Sequence, residues 1–350
     1  MARLEEVCEI LDSKRVPITA KDRVNGPYPY YGANGVQDYV ADYIFDDELV
    51  LLAEDGGHFG STDKPIAYRV SGKCWVNNHA HVLKAKECID VDYLCYSLMF
   101  RDLSGIVNGA TRQKLTQADM RKINIPLLPI DNQKTVVAKI KRIFNLISLR
   151  KAQLVKLEQL VKSRFIEIFG DPVTNPLGWE LRRFDSLCEN LDSRRKPITA
   201  SEREAGIYPY YGASGIVDYV ADYLFDEDIL LVSEDGANLL MRSTPIAFSV
   251  SGKVWVNNHA HVVKFKKMSM QKYIEIFFSL IDISDYITGS AQPKLNQAKL
   301  NAMLFPVPNE DRLEAFLVFV QQIDISKFEL KQSLEKLEML KKSLMQQYFG

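Results

Sequence analysis

Residues 28–46 read YPYYGANGVQDYVADYIFD, and residues 208–226 read YPYYGASGIVDYVADYLFD. The same offset of 180 positions relates the two copies of WVNNHAH, at 75–81 and 255–261. The chain therefore contains one unit twice, and the two copies align without any insertion. Such a chain has a pseudo-two-fold plan, which suits a target that is itself two-fold. Duplex DNA is the commonest target of that kind.

The composition is typical of a globular protein with two domains. Of the 350 residues, 47% are hydrophobic and 25% are charged, and this length suits two domains of ordinary size. We find no run of about 18 apolar residues and no secretory apolar core at the N-terminus. Only Cys8 and Cys188 of the five cysteines correspond between the copies. We therefore predict no membrane span, no disulfide framework and a reducing cytoplasm.

The charge balance limits the kind of nucleic-acid binding that the chain can support. Residues 1–180 hold 24 basic and 23 acidic side chains, and residues 181–350 hold 20 and 22. Phosphate neutralisation uses Lys and Arg, and neither half has an excess of them. A DNA ligand therefore requires either that the basic side chains gather on one face or that a partner supplies further positive charge.

Each copy begins with about 120 residues of short strand-like runs between Gly and Asn turn signals. In the first copy these runs lie at 28–31, 37–43, 49–53, 66–70, 74–76 and 80–84. A helix is predicted at 90–101, and its counterpart in the second copy at 271–281. This mixture predicts an α+β globule with a curled sheet in each half.

Each copy ends in a long helix. Gln133 to Phe169 contains neither Gly nor Pro, and its apolar residues recur at the 3- and 4-residue spacings of a coiled-coil seam. The two seams consist of Ile140, Ile143, Ile147, Leu154, Leu157, Val161 and Ile168, and of Val320, Ile323, Leu330, Leu334, Leu337 and Leu344. Two such seams in one chain most simply satisfy each other as an antiparallel pair. The alternative is that each helix packs onto its own domain.

The predicted fold class is therefore α+β, with two α/β domains related by a pseudo-two-fold axis and joined by two long antiparallel coiled-coil helices. The predicted boundaries follow the repeat. They are 1–130 for the first domain, 131–170 for the first helix, 171–180 for the linker, 181–308 for the second domain and 309–350 for the second helix.

Two repeated motifs carry residues that could do chemistry. His79 and His81 point to one face of a strand and could bind a metal, while alternation directs Ala80 and Val82 to the core. We favour structural hydrogen bonds or DNA contact for the histidines. The Glu54-Asp55 pair could serve a hydrolase, but a turn with solvated or Arg-paired acids is the simpler interpretation. Phosphate-binding, hydrolase and zinc-protease motifs are missing from the sequence, so we predict no catalytic residue and no metal.

Loop tips with polar, basic or aromatic side chains are the better binding candidates, because such side chains read base edges or hold phosphates. Tyr31 and Tyr211 could instead pack the sheet. The predicted DNA-binding residues are Lys14, Arg15, Tyr31, Asn34, His58, Asn78, His79, Arg112, Gln113, Lys114, Arg194, Arg195, Tyr211, Ser214, Asn238, Arg242, Asn258, His259, Gln292 and Lys294.

Several motifs of this chain resemble those of the DNA-sequence-specificity (S) subunit of type I restriction-modification systems. The resemblance rests on YPYYGANGVQDYVADY and YPYYGASGIVDYVADY, the Glu-Asp-Gly turns, SGK-x-WVNNHAHV and the G-x-x-x-x-KL segments that end at Leu115 and Leu295. It also includes INIPLLPIDNQKTVVAKI and the Phe-Gly-Asp-Pro linker, so it covers essentially the whole chain twice. The second copy departs from the pattern at FPVPNEDRLEAF, where the second long helix is expected to begin.

The resemblance implies two target recognition domains, each reading half of a split DNA site, with the helices fixing the gap. It also implies two methyltransferase (M) subunits that bind S-adenosylmethionine and methylate adenine, and restriction (R) subunits that use ATP and Mg. The chain itself would need no cofactor. The likeness of the domains predicts similar half-sites in inverted orientation.

Three alternatives stay open from the sequence. The nearest is the specificity subunit of a type IIB-like system, whose partner both methylates and cleaves. The others are a metal-dependent enzyme that uses the His-x-His strands and a scaffold whose helices serve only dimerisation.

One segment differs sharply between the copies at equal length. Residues 56–63 read GGHFGSTD and residues 236–243 read GANLLMRS. We expect that exchanging these segments alters one half-site more than the other in the methylated motif, measured by methylation sequencing. An unchanged motif would mean that the two segments have diverged in sequence without affecting which DNA site is recognised.

Overall fold

The computed structural model describes residues 1–61, 63–109, 113–289 and 291–350. It divides into two compact units. The first unit comprises residues 1–151 and 331–350, and the second comprises residues 152–330. Each unit thus holds one sheet domain, the start of one long helix and the end of the other. None of the helices in the described part of the chain is long and apolar enough to cross a membrane.

The first unit is built on a six-stranded sheet in the order β2-β7-β5-β6-β3-β4, while β1 pairs separately with β8. All pairs are antiparallel except β3 with β6, which is parallel. The strands are β1 Ala2–Arg3, β2 Cys8–Ile10, β3 Tyr28–Gly32, β4 Gly35–Val40, β5 Phe45–Ala53, β6 Ala67–Val76, β7 Ala80–Ala85 and β8 Asn124–Ile125. The helices are α1 Leu4–Val7, α2 Val91–Met99, α3 Gln117–Met120 and α4 Ile130–Phe169.

The sheet forms where the sequence has its longest apolar runs. In β5 every residue from Leu49 to Ala53 is fully buried, as expected for a central strand covered on both faces. Asp90 caps the N-terminus of helix α2, and its carboxylate accepts from the backbone N–H groups of Asp92 and Tyr93. That is the usual role of an N-cap acid. The β3–β4 turn ends at Gly35, whose φ of +111° suits glycine and strains other residues.

The second unit repeats this plan, but the counterparts of β5 and β6 are each divided into two shorter strands. Its strands are β9 Glu180–Arg183, β10 Cys188–Asn190, β11 Ala205–Gly212, β12 Gly215–Val220, β13 Phe225–Asp226, β14 Ile229–Ser233, β15 Ala247–Val250, β16 Lys253–Val256, β17 Ala260–Phe265 and β18 Leu304–Val307. Its helices are α5 Asn238–Met241, α6 Met268–Phe278, α7 Gln297–Ala302 and α8 Glu310–Phe349. The sheets run β10-β17-β14-β15, β12-β11-β16-β13 and β18-β9.

Strand and helix limits differ from the prediction in a few places. The runs 66–70 and 74–76 form one continuous strand in the first unit, because Ser71, Gly72 and Lys73 all stay paired with β5. The counterparts in the second unit are two strands, β15 and β16. Strand β4 ends at Val40 rather than at residue 43, and α6 begins at Met268 rather than at residue 271.

The two long helices run antiparallel within each unit. In the first unit, Lys139 Nζ lies 3.4 Å from the Tyr348 hydroxyl, and Lys151 Nζ lies 3.3 Å from Glu338. Residue numbers rise along α4 while those of the contacting residues fall along α8, so the two helices are antiparallel. Phe349, at the end of α8, packs edge-on against Tyr93 of the first unit, with ring centroids 5.1 Å apart. This packing contradicts the alternative in which each helix rests only on its own domain.

The same arrangement recurs in the second unit, where the end of α4 meets the start of α8. Phe165 of α4 packs against Phe316 of α8 with centroids 5.7 Å apart, and Arg312 donates to the Ile168 carbonyl at 2.7 Å. The predicted seam residues are all buried or half-buried. Both helices contain 40 residues, about 60 Å each at 1.5 Å per residue.

The aromatic cluster of the second unit yields a stability prediction. Phe165 is fully buried and contacts the rings of Phe169, Tyr273, Phe277 and Phe316. We expect Phe165→Ala to lower the free energy of unfolding by about 3–5 kcal/mol, since it leaves a cavity in a packed core. Urea denaturation measures this change.

Ile166→Ala is the matched control, because the neighbouring Ile166 side chain is 46% exposed. Its effect should stay within about 0.5 kcal/mol. Equal effects of the two substitutions would show that the end of α4 does not belong to the second unit's core.

Candidate nucleic-acid interface

Each unit contains a partly buried group of charged side chains, which we call the charge cluster. It consists of Asp12, Arg15, Glu54, His81 and Lys114 in the first unit. Arg15 Nη1 lies 2.6 Å from Glu54, and Lys114 Nζ lies 3.0 Å from the other oxygen of that carboxylate. His81 Nδ1 lies 2.7 Å from Asp12 Oδ2. The cluster joins the N-terminal segment, the strands β5 and β7, and the segment before α3.

The second unit holds the same cluster at the same offset, formed by Asp192, Arg195, Glu234, His261 and Lys294. The corresponding distances are 2.6 Å for Arg195–Glu234, 3.0 Å for Lys294–Glu234 and 2.6 Å for His261–Asp192. Because both domains build it from identical residue types, we regard the cluster as part of the scaffold they share.

His81 is completely buried, and both of its ring nitrogens face oxygen acceptors. Nδ1 faces the Asp12 carboxylate at 2.7 Å, and Nε2 faces the Leu115 carbonyl at 2.9 Å. These two contacts fix the orientation of the His81 ring between Asp12 and the segment that contains Leu115.

Asp12 is held in its ionised form by its neighbours. Burial alone raises the pKa of a carboxyl group, but the hydrogen bond and charge of His81 and the N–H of Val82 outweigh burial. The pKa of Asp12 therefore lies below its ordinary value of 3.8. The pKa of Asp192 is lowered by the equivalent partners, His261 and Val262, against the same effect of burial.

A metal ion is the alternative occupant of this cluster. One ligand atom each from Asp12, Glu54 and His81 lies within 4.8 Å of the others, as does the equivalent set in the second unit. However, Arg15 and Lys114 already bring two positive side chains against Glu54. A divalent cation would have to displace them, so the geometry favours a structural ion cluster.

Several loops that are distant in sequence meet beside the cluster. The Asn34 amide donates to the Gly56 carbonyl at 3.0 Å, and the Gly56 N–H donates to the Gln113 carbonyl at 3.2 Å. His79 Nδ1 lies 2.8 Å from Asp55. The β3–β4 turn, the Glu-Asp-Gly turn, the turn before β7 and the end of the 108–114 loop thus gather at one end of the domain.

A cleft of about 310 Å³ opens at this end of the first unit. Its outer wall is residues 17–19, which the sheet holds through two side chains. Trp75 Nε1 donates to the Val16 carbonyl at 2.6 Å, and the Tyr30 hydroxyl accepts from the Ile18 N–H at 3.0 Å. The complete lining is Pro17, Ile18, Thr19, Arg23, Tyr30, Ala33, Asn34, Gln37, Asp55, Gly56, Asn77, Asn78 and His79.

The structure brings many of the predicted DNA-binding residues to this end. Asn34, Asn78 and His79 line the cleft, while Gln113 and Lys114 are exposed beside it. The equivalent residues Ser214, Asn258, His259 and Lys294 are also exposed, as is Gln292, which corresponds in sequence to Arg112. Lys14 is exposed, and His58 is half-buried. Arg112 lies outside the described residues.

Arg15 and Arg195 lie in the same region but have a different environment. Only 13% of each side chain is exposed. The Arg15 guanidinium contacts Glu54 and the Asn78 and Ala80 carbonyls. This geometry favours a positioning role over direct contact with DNA.

Other predicted contacts are also engaged in the fold. Tyr31 packs on Tyr68 and Tyr211 on Phe248, with centroids 5.8 and 6.0 Å apart. Arg194 pairs with Glu227 at 2.5 Å. Arg242 donates to the Phe278 and Ile281 carbonyls at 2.9 and 3.0 Å.

Asn238 bonds within its own loop, to Ser243 and Thr244. Much of the 236–243 segment is therefore anchored to its own domain.

Strand β7 differs from the predicted alternation. Ala80, His81 and Val82 are all fully buried, because the strand is central and covered on both faces. Glu54 pairs with Arg15, as the simpler interpretation of its turn anticipated. Sequence reasoning missed Gln37, which lines the cleft. The signal was available, since position 37 is one of the few differences between the two copies of the 28–46 stretch.

The charge cluster predicts a large effect of a small substitution. We expect Asp12→Asn to lower the free energy of unfolding by about 3 kcal/mol at pH 7, because it removes a buried carboxylate that pairs with Arg15 and accepts from the Val82 N–H. The carboxylate contributes stability above about pH 4 and loses it as the pH falls through its lowered pKa. Below pH 4, the free energy of unfolding should therefore fall less steeply for the variant than for the wild type, as measured by urea denaturation.

Asp42→Asn is the control, because Asp42 is exposed and bonds only the adjacent Tyr43 N–H among the described residues. Its effect should stay within about 0.5 kcal/mol. If the two variants match, Asp12 does not carry a buried charge.

Comparisons with known proteins identify the family and the fold of the chain. A family model described as the type I restriction modification DNA specificity domain matches residues 1–159 and residues 176–338. A Haemophilus influenzae protein named as a type I restriction enzyme specificity subunit is 39% identical over 134 residues, which is 38% of this chain and 34% of that protein. The chain therefore matches only about a third of this relative's length.

Two further comparisons span the whole chain. A type I restriction enzyme specificity subunit from Methanocaldococcus jannaschii is 20% identical, with 99% of this chain and 90% of the relative covered. The crystal structure of the type I restriction-modification S subunit from M. genitalium has a TM-score of 0.62 at 13% identity, with 100% and 95% covered. It shows the same fold. With matches over both halves, the chain belongs to the family of type I restriction-modification DNA specificity proteins.

Proposed function

We propose that the chain is the non-catalytic DNA-specificity subunit of a type I restriction-modification complex. Each domain reads one half of a bipartite site with the loops that gather beside its charge cluster. The observation that carries this proposal is the convergence itself. Asn34, Asn78, His79, Gln113 and Lys114 come from separate segments and lie at one end of the first unit.

The residue types at this end suit base readout more than catalysis. Carboxamides bind base edges in the major groove, and lysine holds phosphates. Arg15 and Lys114 pair with the Glu54 carboxylate, and the two aspartates of this region are hydrogen-bonded to histidine rings. These paired carboxylates add little repulsion of DNA, but the surface lacks a strong positive field. Partner subunits would supply the remaining phosphate contacts.

The helices support the second part of the proposal. Both are 40 residues long, and each unit contains one end of each helix. In the proposed complex the helices would set the gap between the half-sites and offer docking surfaces to two methyltransferase subunits. Restriction subunits complete the complex, in the cytoplasm. S-adenosylmethionine, ATP and Mg would bind on those partners.

The test is the methylation motif of cells that carry this chain and its cognate methyltransferase subunit. We expect adenine methylation at a bipartite motif whose halves are similar sequences in inverted orientation, because the two domains share their loops. Cells with the methyltransferase subunit alone are the control. Two unrelated half-sites would refute the near-palindrome, and a motif that does not depend on the chain would refute the function.

A further inference from the structure

The residues that line the cleft of the first unit and their counterparts in the second unit differ in only two side chains. Eleven of its thirteen lining residues have an identical counterpart 180 positions later. The exceptions are Asn34, which corresponds to Ser214, and Gln37, which corresponds to Val217. All four side chains belong to exposed residues at or beside the β3–β4 and β11–β12 turns.

These two differences change which hydrogen-bonding groups the cleft presents. In the first unit, Gln37 Oε1 accepts from the Asn77 amide at 3.1 Å, so the Asn77 donor is satisfied. The remaining amide group of Gln37 lies over Gly32, where a side chain would collide with it. Asn34 donates to Gly56 and keeps its carbonyl oxygen as an acceptor. The first cleft thus offers carboxamide donors and acceptors.

The second unit offers a different chemistry in the same frame. Val217 cannot accept a hydrogen bond, so the amide of Asn257, which corresponds to Asn77, has no side-chain acceptor at that position. A methyl group of Val217 lies over Gly212 instead. Ser214 adds a hydroxyl group. The corresponding residues of the second unit therefore present an apolar contact, a hydroxyl and the Asn257 amide.

We infer that these paired positions determine the identity of one base pair in each half-site. Carboxamides suit the N6 and N7 edge of adenine, whereas a branched aliphatic side chain suits the thymine methyl group. Asn34 and Gln37 would then select adenine, and Ser214 and Val217 would select thymine, at the equivalent positions. The two half-sites would differ at this base pair within an otherwise shared pattern. This inference rests on the proposed function and adds its residue-level determinant.

The test transplants each pair into the other domain of the full chain, expressed with its cognate methyltransferase subunit. The variants are Asn34→Ser with Gln37→Val, and Ser214→Asn with Val217→Gln. Each introduces residues that the same frame already holds in the other copy, so folding should be retained. We expect the first variant to change one base pair of one half-site, with discrimination at that position altered about 5- to 150-fold, and the reciprocal variant to change the other half-site.

Glu87→Lys is the matched control. It also replaces a first-copy residue by its second-copy counterpart, Lys267, but it lies beyond the end of β7 opposite the cleft. Its motif should equal that of the wild type. If both transplanted variants methylate the wild-type motif, or if either folded variant loses methylation at both half-sites equally, the inference is wrong. A wild-type chain that directs no bipartite motif would instead reject the proposed function.

Discussion

The buried pairing of an aspartate with a histidine is the constraint on which each domain depends. Asp12 holds His81 and the N–H of Val82, while His81 reaches the Leu115 carbonyl. These contacts join segments that are 69 and 34 positions apart in the chain. A buried charge that loses its partner is strongly destabilising, so the complete cluster favours one arrangement of the segments around it. Loops that meet there acquire a fixed geometry without regular secondary structure of their own.

The repeat, the long helices and most strands were predictable, because periodicity and turn residues report local structure directly. The antiparallel helix pair followed from two seams that require partners. The charge cluster was not predictable, since alternation indicates the face of a side chain and not its partner 69 positions away. Arg15 illustrates the difficulty: a basic residue in a loop has the same sequence pattern whether it faces DNA or, as here, a buried carboxylate.

The exchange of helix ends between the units has an energetic consequence. Phe349 packs with the first unit's core, and Phe165 packs with the second unit's core. Each core therefore includes apolar residues from a helix that begins in the other unit. Truncating either helix would therefore expose part of a core as well as shorten the helix. Helix length and domain stability are thus linked in this architecture.

Duplication separates two requirements that a single domain must combine, namely positioning a ligand and selecting it. The cluster residues and the wall of the cleft are the same in both copies, so either domain can position a ligand in the same way. The chemistry at positions 34 and 37 can then change freely, because Asn34, Gln37, Ser214 and Val217 are exposed at or beside the turns and do not belong to the core. A substitution at these positions costs little stability yet changes the groups offered to a ligand. Specificity can therefore diverge between the halves while the frame that positions each half is retained.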